Sequence, residues 1–450
     1  MRPRIALLSL PLLACLVGCP ATPPPAPPAP PVTTGTTTTT APATNTTATP
    51  AATPDDPEVI KGLEAIGAVV TLDDDKRAQI VDIGSESLST PEKADEVFTA
   101  VGKLTGLQRL KALGPGIRNE QLARIAGLKD LRELDLYNTS ITDEGMDHLL
   151  GMSNLETLYL RRSNVTDGGV AKLVALQNLQ RLDLRFTNVT NAGMESIGKL
   201  PKLRALLLEA TKVGDAGLAS ITDLKSLVKL NLWGELFTSA SAEHIQKLTS
   251  LEALELDDTR IKDDGLKQLA GLTKLRELSL VRTRITNDGL TILKGMKEMR
   301  VLQLRDTMST DPGLENIAGL TNLRKLDLSE GIYGDEGMKN LVGLKNLEEL
   351  SVWKVPVSND GLASITGLTK LTKLNLAETR INDDGVKMLK PLQNLEELNL
   401  SITEITPATL EFIPEFKKLK KLTINNCIQV TSDAKDALKA AMPNLKIDGP

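Results

Sequence analysis

The residues that could do acid–base, nucleophilic or metal chemistry are few, and their spacing speaks against each use. The two histidines, His148 and His244, are 96 residues apart. Each stands 17 residues after a leucine, Leu131 or Leu227, that opens one unit of a repeat. Regular stacking would hold them roughly 20 to 40 Å apart, too far to share a catalytic or metal site. Three cysteines, Cys15, Cys19 and Cys427, are too few for a disulfide framework or a cysteine zinc site. Asp73, Asp74 and Asp75 suit the solvated tip of a hairpin between residues 68–72 and 78–83 better than a metal site. No phosphate loop, Gly-x-Ser-x-Gly elbow or Cys-x-x-Cys pair occurs. No catalytic residue, metal or cofactor is expected, and the chain reads as a non-enzyme.

The chemistry of recognition is easier to find. Aromatic residues make up only 2% of 450 positions, so each needs a reason. Phe237, Tyr333 and Phe416 fall on core positions, and Phe98 and Phe412 on helices. Tyr137, Tyr159, Phe186, Trp233 and Trp353 fall on or just after exposed strand positions. The first four come from one stretch, with Arg161, Arg162 and Arg185 among them and Leu207 and Glu209 between. Tyr, Trp and Arg dominate the energetics of protein interfaces. Tyr137, Tyr159, Arg161, Arg162, Arg185, Phe186, Leu207, Glu209 and Trp233 are therefore the candidate partner-binding residues. The three arginines should make this patch basic on a chain whose net charge is −5. That overall charge disfavours nucleic acid and anionic lipid as partners of the body.

The elements that must position these residues repeat every 24 residues. One unit runs Leu131, Leu134, Leu136, Thr139, Ile141, Asp143, Gly145, Met146, Leu149 and Met152. Thirteen such units follow one another from 107 to 418 without an insertion, and a longer one of 26 residues opens at Leu419. Leu134 and Leu136 share one face of a strand and point inward, with Asp135 outward between them. The recurring hydroxyl of Thr139 suits backbone groups where the chain leaves the sheet, Asp143 suits a helix cap, and Gly145 lets the helix start pack closely. Cys427 stands where other units carry Thr. The unit from 227 departs from the pattern, with Glu235 for Thr, Ser241 for Gly and Ala242 for Leu, so its turn should differ.

This pattern, L-x-x-L-x-L-x-x-T-x-I-T-D-x-G-L, resembles the leucine-rich repeats of bacterial lipoproteins, and the last unit resembles the cysteine-containing subclass. The resemblance covers residues 78 to 447. It implies an α/β solenoid, curved, with a parallel sheet on the concave face and short helices on the convex face.

The first residues read as an address. Arg2 and Arg4 precede an apolar run from 5 to 17, too short to span a bilayer. Leu16-Val17-Gly18-Cys19 resembles the lipobox of bacterial lipoproteins, which implies that residues 1–18 are a signal peptide and that Cys19 is lipidated. Pro20, in place of an Asp, favours the outer membrane over the inner. Residues 19–56 hold the lipidated Cys and a Pro/Thr/Ala-rich tether with no charge from Pro20 to Pro54. Residues 57–106 form an N-terminal cap, 107–418 the thirteen regular units, and 419–450 the terminal unit and C-terminal cap. The expected function is a membrane-anchored binding scaffold of the cell envelope that engages a protein partner, one with an acidic surface, through its concave face. A glycan stacked on the same aromatics is the alternative.

Overall fold

The computed structural model describes residues 53–449. The expected signal peptide with Cys15, the expected lipidation site Cys19 and the expected tether up to residue 52 lie outside them. The described chain opens with α1 (Pro57–Ala65), capped by Asp56, and a hairpin of β1 (Val69–Leu72) and β2 (Ala78–Ile83), paired antiparallel. At the hairpin tip Asp73 turns inward on its own loop, accepting from the Asp75 and Arg77 amides at 3.0 and 2.9 Å. α2 (Pro91–Val101) follows, with Phe98 fully buried beneath it.

From β2 onward every strand pairs parallel with the next. The series is β3 (Arg109–Ala112), β4 (Glu133–Asp135), β5 (Thr157–Tyr159), β6 (Arg181–Asp183), β7 (Ala205–Leu207) and β8 (Lys229–Asn231), continuing to β16 (Lys421–Thr423) and β17 (Lys446–Asp448). Leu134 pairs with Leu158, Leu158 with Leu182 and Leu182 with Leu206, always 24 residues on. This register follows from the leucines: a slip of one residue would turn each to the wrong face. The irregular unit does not disturb it, since Leu230 pairs with Leu206 and Leu254. At the end Leu422 pairs with Ile447, so the terminal unit advances 447 − 422 = 25 residues, one fewer than the leucine spacing suggests. Its ten-residue helix Ser432–Ala441 takes up the extra length. The return segments are short pieces of α-helix or 3₁₀-helix, such as Asp167–Lys172 and Asp143–Leu149. Strands stack at ~4.8 Å and helices need about twice that, so the stack curves with the sheet inside. Phe237, Tyr333 and Phe416 lie in the core as their positions require.

Two sets of side-chain hydrogen bonds recur along the core. Thr139, Thr187, Thr259 and Thr379 each donate the side-chain hydroxyl to the carbonyl three residues back, at 2.6–3.0 Å, which satisfies a buried acceptor at the sheet exit. Cys427 replaces the hydroxyl with a thiol 3.1 Å from the Leu400 carbonyl of the preceding unit. The second set corrects the capping role expected of Asp143. The N-cap position falls one residue earlier, on Thr142 and its counterparts, and at Thr190 the side chain caps, Oγ1 accepting from the Ala192 amide at 3.2 Å. Asp143 instead reaches the next unit, where one carboxylate oxygen accepts from the Thr166 amide at 2.7 Å and the other from its hydroxyl at 2.5 Å. Asp167, Asp263 and Asp383 repeat this on Thr190, Thr286 and Thr406.

The same carboxylates explain the repeat glycines. A Cβ on Gly169 would stand 2.6 Å from Asp143 Oδ1, and one on Gly193 equally close to Asp167. In two units a hydroxyl takes the place of the glycine and bonds to the carboxylate, Ser241 to Asp215 and Thr409 to Asp383 at 2.5 Å, while in the first unit Gln121 stands there and accepts from the Arg118 amide at 2.9 Å.

After each strand one residue turns through the left-handed region, for example Asn138, Arg162, Phe186, Asp258 and Ile402 with φ between 53° and 59°. The irregular unit uses Gly234. A β-branched residue is the least suited to this conformation, and Ile402 is also 47% exposed, so it gains little by packing. Ile402→Asn is therefore expected to stabilise the fold by about 1 kcal/mol, read as a higher urea midpoint. An unchanged or lower midpoint would show that the isoleucine side chain repays its backbone cost.

Candidate binding face

Two rows of side chains build the concave face in its N-terminal half. The last strand residues, Asp135, Tyr159, Asp183 and Leu207, are register partners on β4 to β7. Two positions on, Tyr137, Arg161, Arg185, Glu209 and Trp233 leave the sheet, followed by the left-handed turn residues that include Arg162 and Phe186. Tyr137, Tyr159, Phe186 and Trp233 are all half-buried, so each shows part of a ring to solvent.

Arg161 is the centre of the cluster. Its guanidinium carbon lies 5.1 Å from the centroid of Tyr137 and 5.3 Å from that of Phe186. Arg162 lies 5.0 Å from the same Phe186 ring. Such contacts hold a cation in place at a gain of about 0.5–1 kcal/mol each where partly exposed. Among the described residues neither arginine has a carboxylate within ion-pair distance, and Arg161 Nε is buried without a hydrogen-bond partner. The left-handed turn at 186 carries Phe186 off the strand and against these two cations.

Arg185 behaves differently, and it corrects the expectation of a basic patch contributed by three arginines. Its guanidinium grips Asp183 through Nε at 2.9 and 3.0 Å and through Nη2 at 2.6 Å, with Glu209 at 3.6 Å. Asp183 is itself only 1% exposed. Two residues apart on one strand face, the pair neutralises itself, so the free positive charge is that of Arg161 and Arg162. Leu207 is also corrected: it is 8% exposed. It stands in register between Asp183 and Asn231, both buried, so the neighbouring strands close over it and leave it little to offer a partner. Glu209 serves Arg185.

Tyr159 and Trp233 are unengaged. Among the described residues the Tyr159 hydroxyl and the Trp233 indole form no hydrogen bond, and neither ring stacks on another ring or cation. Burial pushes the Tyr159 hydroxyl above its usual pKa, so it stays protonated and able to donate. Trp233 is thus on the same face as the Arg161 cluster without joining it. Beside Tyr159, burial raises the Asp135 carboxyl to about 6, although it accepts the Tyr137 amide at 3.1 Å.

The C-terminal half holds a contrasting cluster. Arg305 lies 4.8 Å from the Trp353 ring, and Lys354 5.9 Å. Here Glu330 bonds both cations, at 2.9 and 3.1 Å, and the Trp353 indole donates to Glu378 at 2.8 Å. Every polar group of this cluster has its partner within the chain.

Sequence reasoning missed one feature of that half. A groove of 340 Å³ runs over β16 and the four strands before it, floored by Leu326, Leu350, Leu374 and Leu398. One wall alternates Lys325, Glu349, Lys373, Glu397 and Lys421, the first four joined by ion pairs of 3.4–3.5 Å and Lys421 paired with Asp448 at 3.4 Å. The other carries Asp327, Ser351, Asn375, Asn399 and Thr423. The alternation of charge at 24-residue intervals was the available signal.

His148 and His244 lie on separate return helices four units apart, and His244 Nδ1 is buried without a partner. Cys427 is buried. Among the described residues no group of three or more His, Cys, Asp or Glu side chains could hold a metal ion.

Family models for leucine-rich repeats match residues 151–174, 175–198, 225–285 and 367–390. No curated protein matches the chain. Among solved structures, an internalin from Listeria monocytogenes is similar over 68% of this chain and 88% of its own, with a TM-score of 0.52 at 23% identity. A chain of the mouse RP105/MD-1 complex is similar over 78% of this chain and 68% of its own, with a TM-score of 0.51 at 16% identity. At these identities the likeness is one of fold.

Proposed function

We propose, from the premise that this chain carries leucine-rich repeats wound into an open solenoid, that it is a non-catalytic binding scaffold. Its concave N-terminal half engages a protein partner. The observation that carries this reading is the contrast between the two aromatic clusters. Around Trp353 every polar group is satisfied internally. Across the 131–250 stretch the Tyr159 hydroxyl, the Trp233 indole and two guanidinium groups are left without partners. Aromatic and Arg side chains in that state are the usual anchors of an interface, and Arg beside the rings favours an acidic protein over a neutral sugar.

The anchoring belongs to the same proposal. A lipid on Cys19 would hold the scaffold at the bacterial envelope, in the outer membrane, and the Pro-rich stretch would set it away from the bilayer.

Cross-linking in intact cells, followed by affinity measurement on the captured protein, tests the binding face. Trp233→Ala and Tyr159→Ala are each expected to weaken the interaction by ~2 kcal/mol or more with an unchanged melting temperature, and Trp353→Ala to leave it intact. If only Trp353→Ala weakens binding, the face has been placed in the wrong half.

A further inference from the structure

We infer that Arg161 and Arg162 form a carboxylate receptor, built to take adjacent Asp or Glu side chains of an acidic polypeptide segment. The inference deepens the reading of the concave face as a partner surface and rests on it. The first ground is the state of the two guanidinium groups. Both lie against aromatic rings, Arg161 between Tyr137 and Phe186 and Arg162 against Phe186. A cation–π contact holds the charge but gives the guanidinium N–H donors no oxygen acceptor, so they remain to be satisfied. Neither arginine has such an acceptor, and one donor, Arg161 Nε, is already buried.

The second ground is internal to the chain. At the Trp353 cluster the cations Arg305 and Lys354 also meet an aromatic ring, and there a carboxylate, Glu330, bridges them. Glu330 occupies the left-handed turn position of its unit, and the corresponding residue beside Arg161 is Phe186. The N-terminal cluster therefore has the ring and two cations but lacks the carboxylate.

The third ground is charge, which selects a carboxylate over a dianionic phosphate. Arg185 is consumed by Asp183 and Glu209, and Asp135 lies in the same rows. Two uncompensated positive charges set among acids balance one or two carboxylates. A cluster of dianions would meet repulsion from the surrounding carboxylates.

The test uses the full chain and a fluorescein-labelled hexaglutamate peptide, followed by anisotropy at low salt. Wild type is expected to bind, and Arg161→Gln with Arg162→Gln to weaken binding at least ~10-fold at an unchanged melting temperature. Arg305→Gln with Lys354→Gln should bind as wild type does. Arg161→Lys with Arg162→Lys keeps the charge and loses the planar fork, so it should also bind several-fold more weakly. No binding by wild type, no loss in the Gln pair, or full retention in the Lys pair overturns the receptor. A phosphoserine peptide of the same length binding more tightly than hexaglutamate overturns the choice of carboxylate. If the Gln pair binds normally while Trp233→Ala and Tyr159→Ala still lose the cellular partner, the receptor falls and the binding face stands. If those alanine variants also bind normally, both fall.

Discussion

Gly331→Thr, which gives this unit the residue that most of its counterparts carry, is expected to destabilise the solenoid by about 3 kcal/mol, the upper range for overpacking a core. A Cβ at Gly331 would stand 2.5 Å from Tyr333 Cδ2 and 2.8 Å from the Leu328 carbonyl oxygen. Tyr333 fills a slot that holds Ile or Val in most units, and its hydroxyl lies 2.5 Å from Ser309 Oγ, with Thr307 3.3 Å away. Ser309 takes the same slot one unit earlier, so a large ring at 333 is matched by small residues at 309 and 331. Adding Tyr333→Ile to Gly331→Thr should therefore recover most of the loss, because the pair restores the ordinary unit and Ser309 keeps Thr307 at 2.9 Å. Urea midpoints of the two single variants and the double variant measure this coupling. Additive effects would show that positions 331 and 333 are independent.

Asp135→Asn should stabilise the protein at neutral pH. Burial lifts the Asp135 carboxyl to about 6, above the ordinary unfolded value of ~3.9. The folded chain holds this proton more tightly than the unfolded chain. The stability it contributes is complete below about pH 4 and is lost as the pH rises through 6. A shift of this size corresponds to roughly 2–3 kcal/mol at pH 7. Asn keeps the acceptor for the Tyr137 amide, as Asn375 and Asn399 do for Ala377 and Ser401 at 3.1 and 3.0 Å. The variant should melt higher than wild type at pH 7 and equal to it at pH 4. Equal melting at both would mean that water reaches the wild-type carboxylate.

The solenoid was legible because its constraints are local and repeated. Leu134 and Leu136 two apart state a strand face, and the same spacing at every 24th residue states the register. The hydroxyl at Thr139 was legible for the same reason, since its acceptor is three residues away. Asp143 was misjudged because its partner, Thr166, is 23 residues on, while the Thr beside it offers an equally plausible local cap. Leu207 could not be placed from its own strand, since its cover comes from the neighbours. The Asp183–Arg185 pair could have been found, as residues two apart share a face. The Arg161 stack depends on a turn conformation at Phe186 that composition does not reveal.

The constant offset between neighbouring strands has a genetic consequence. Any cut at one position of a unit rejoins in phase with the same position of another, so unequal exchange can add or remove whole units without breaking a ladder. The Arg161 cluster draws Tyr137, Arg161 and Phe186 from three successive units. An exchange inside that block scatters the cluster while the fold persists, whereas one between residues 251 and 418 leaves it whole. Lineages of such chains should thus vary in overall length while inheriting the Arg161 cluster as a single piece.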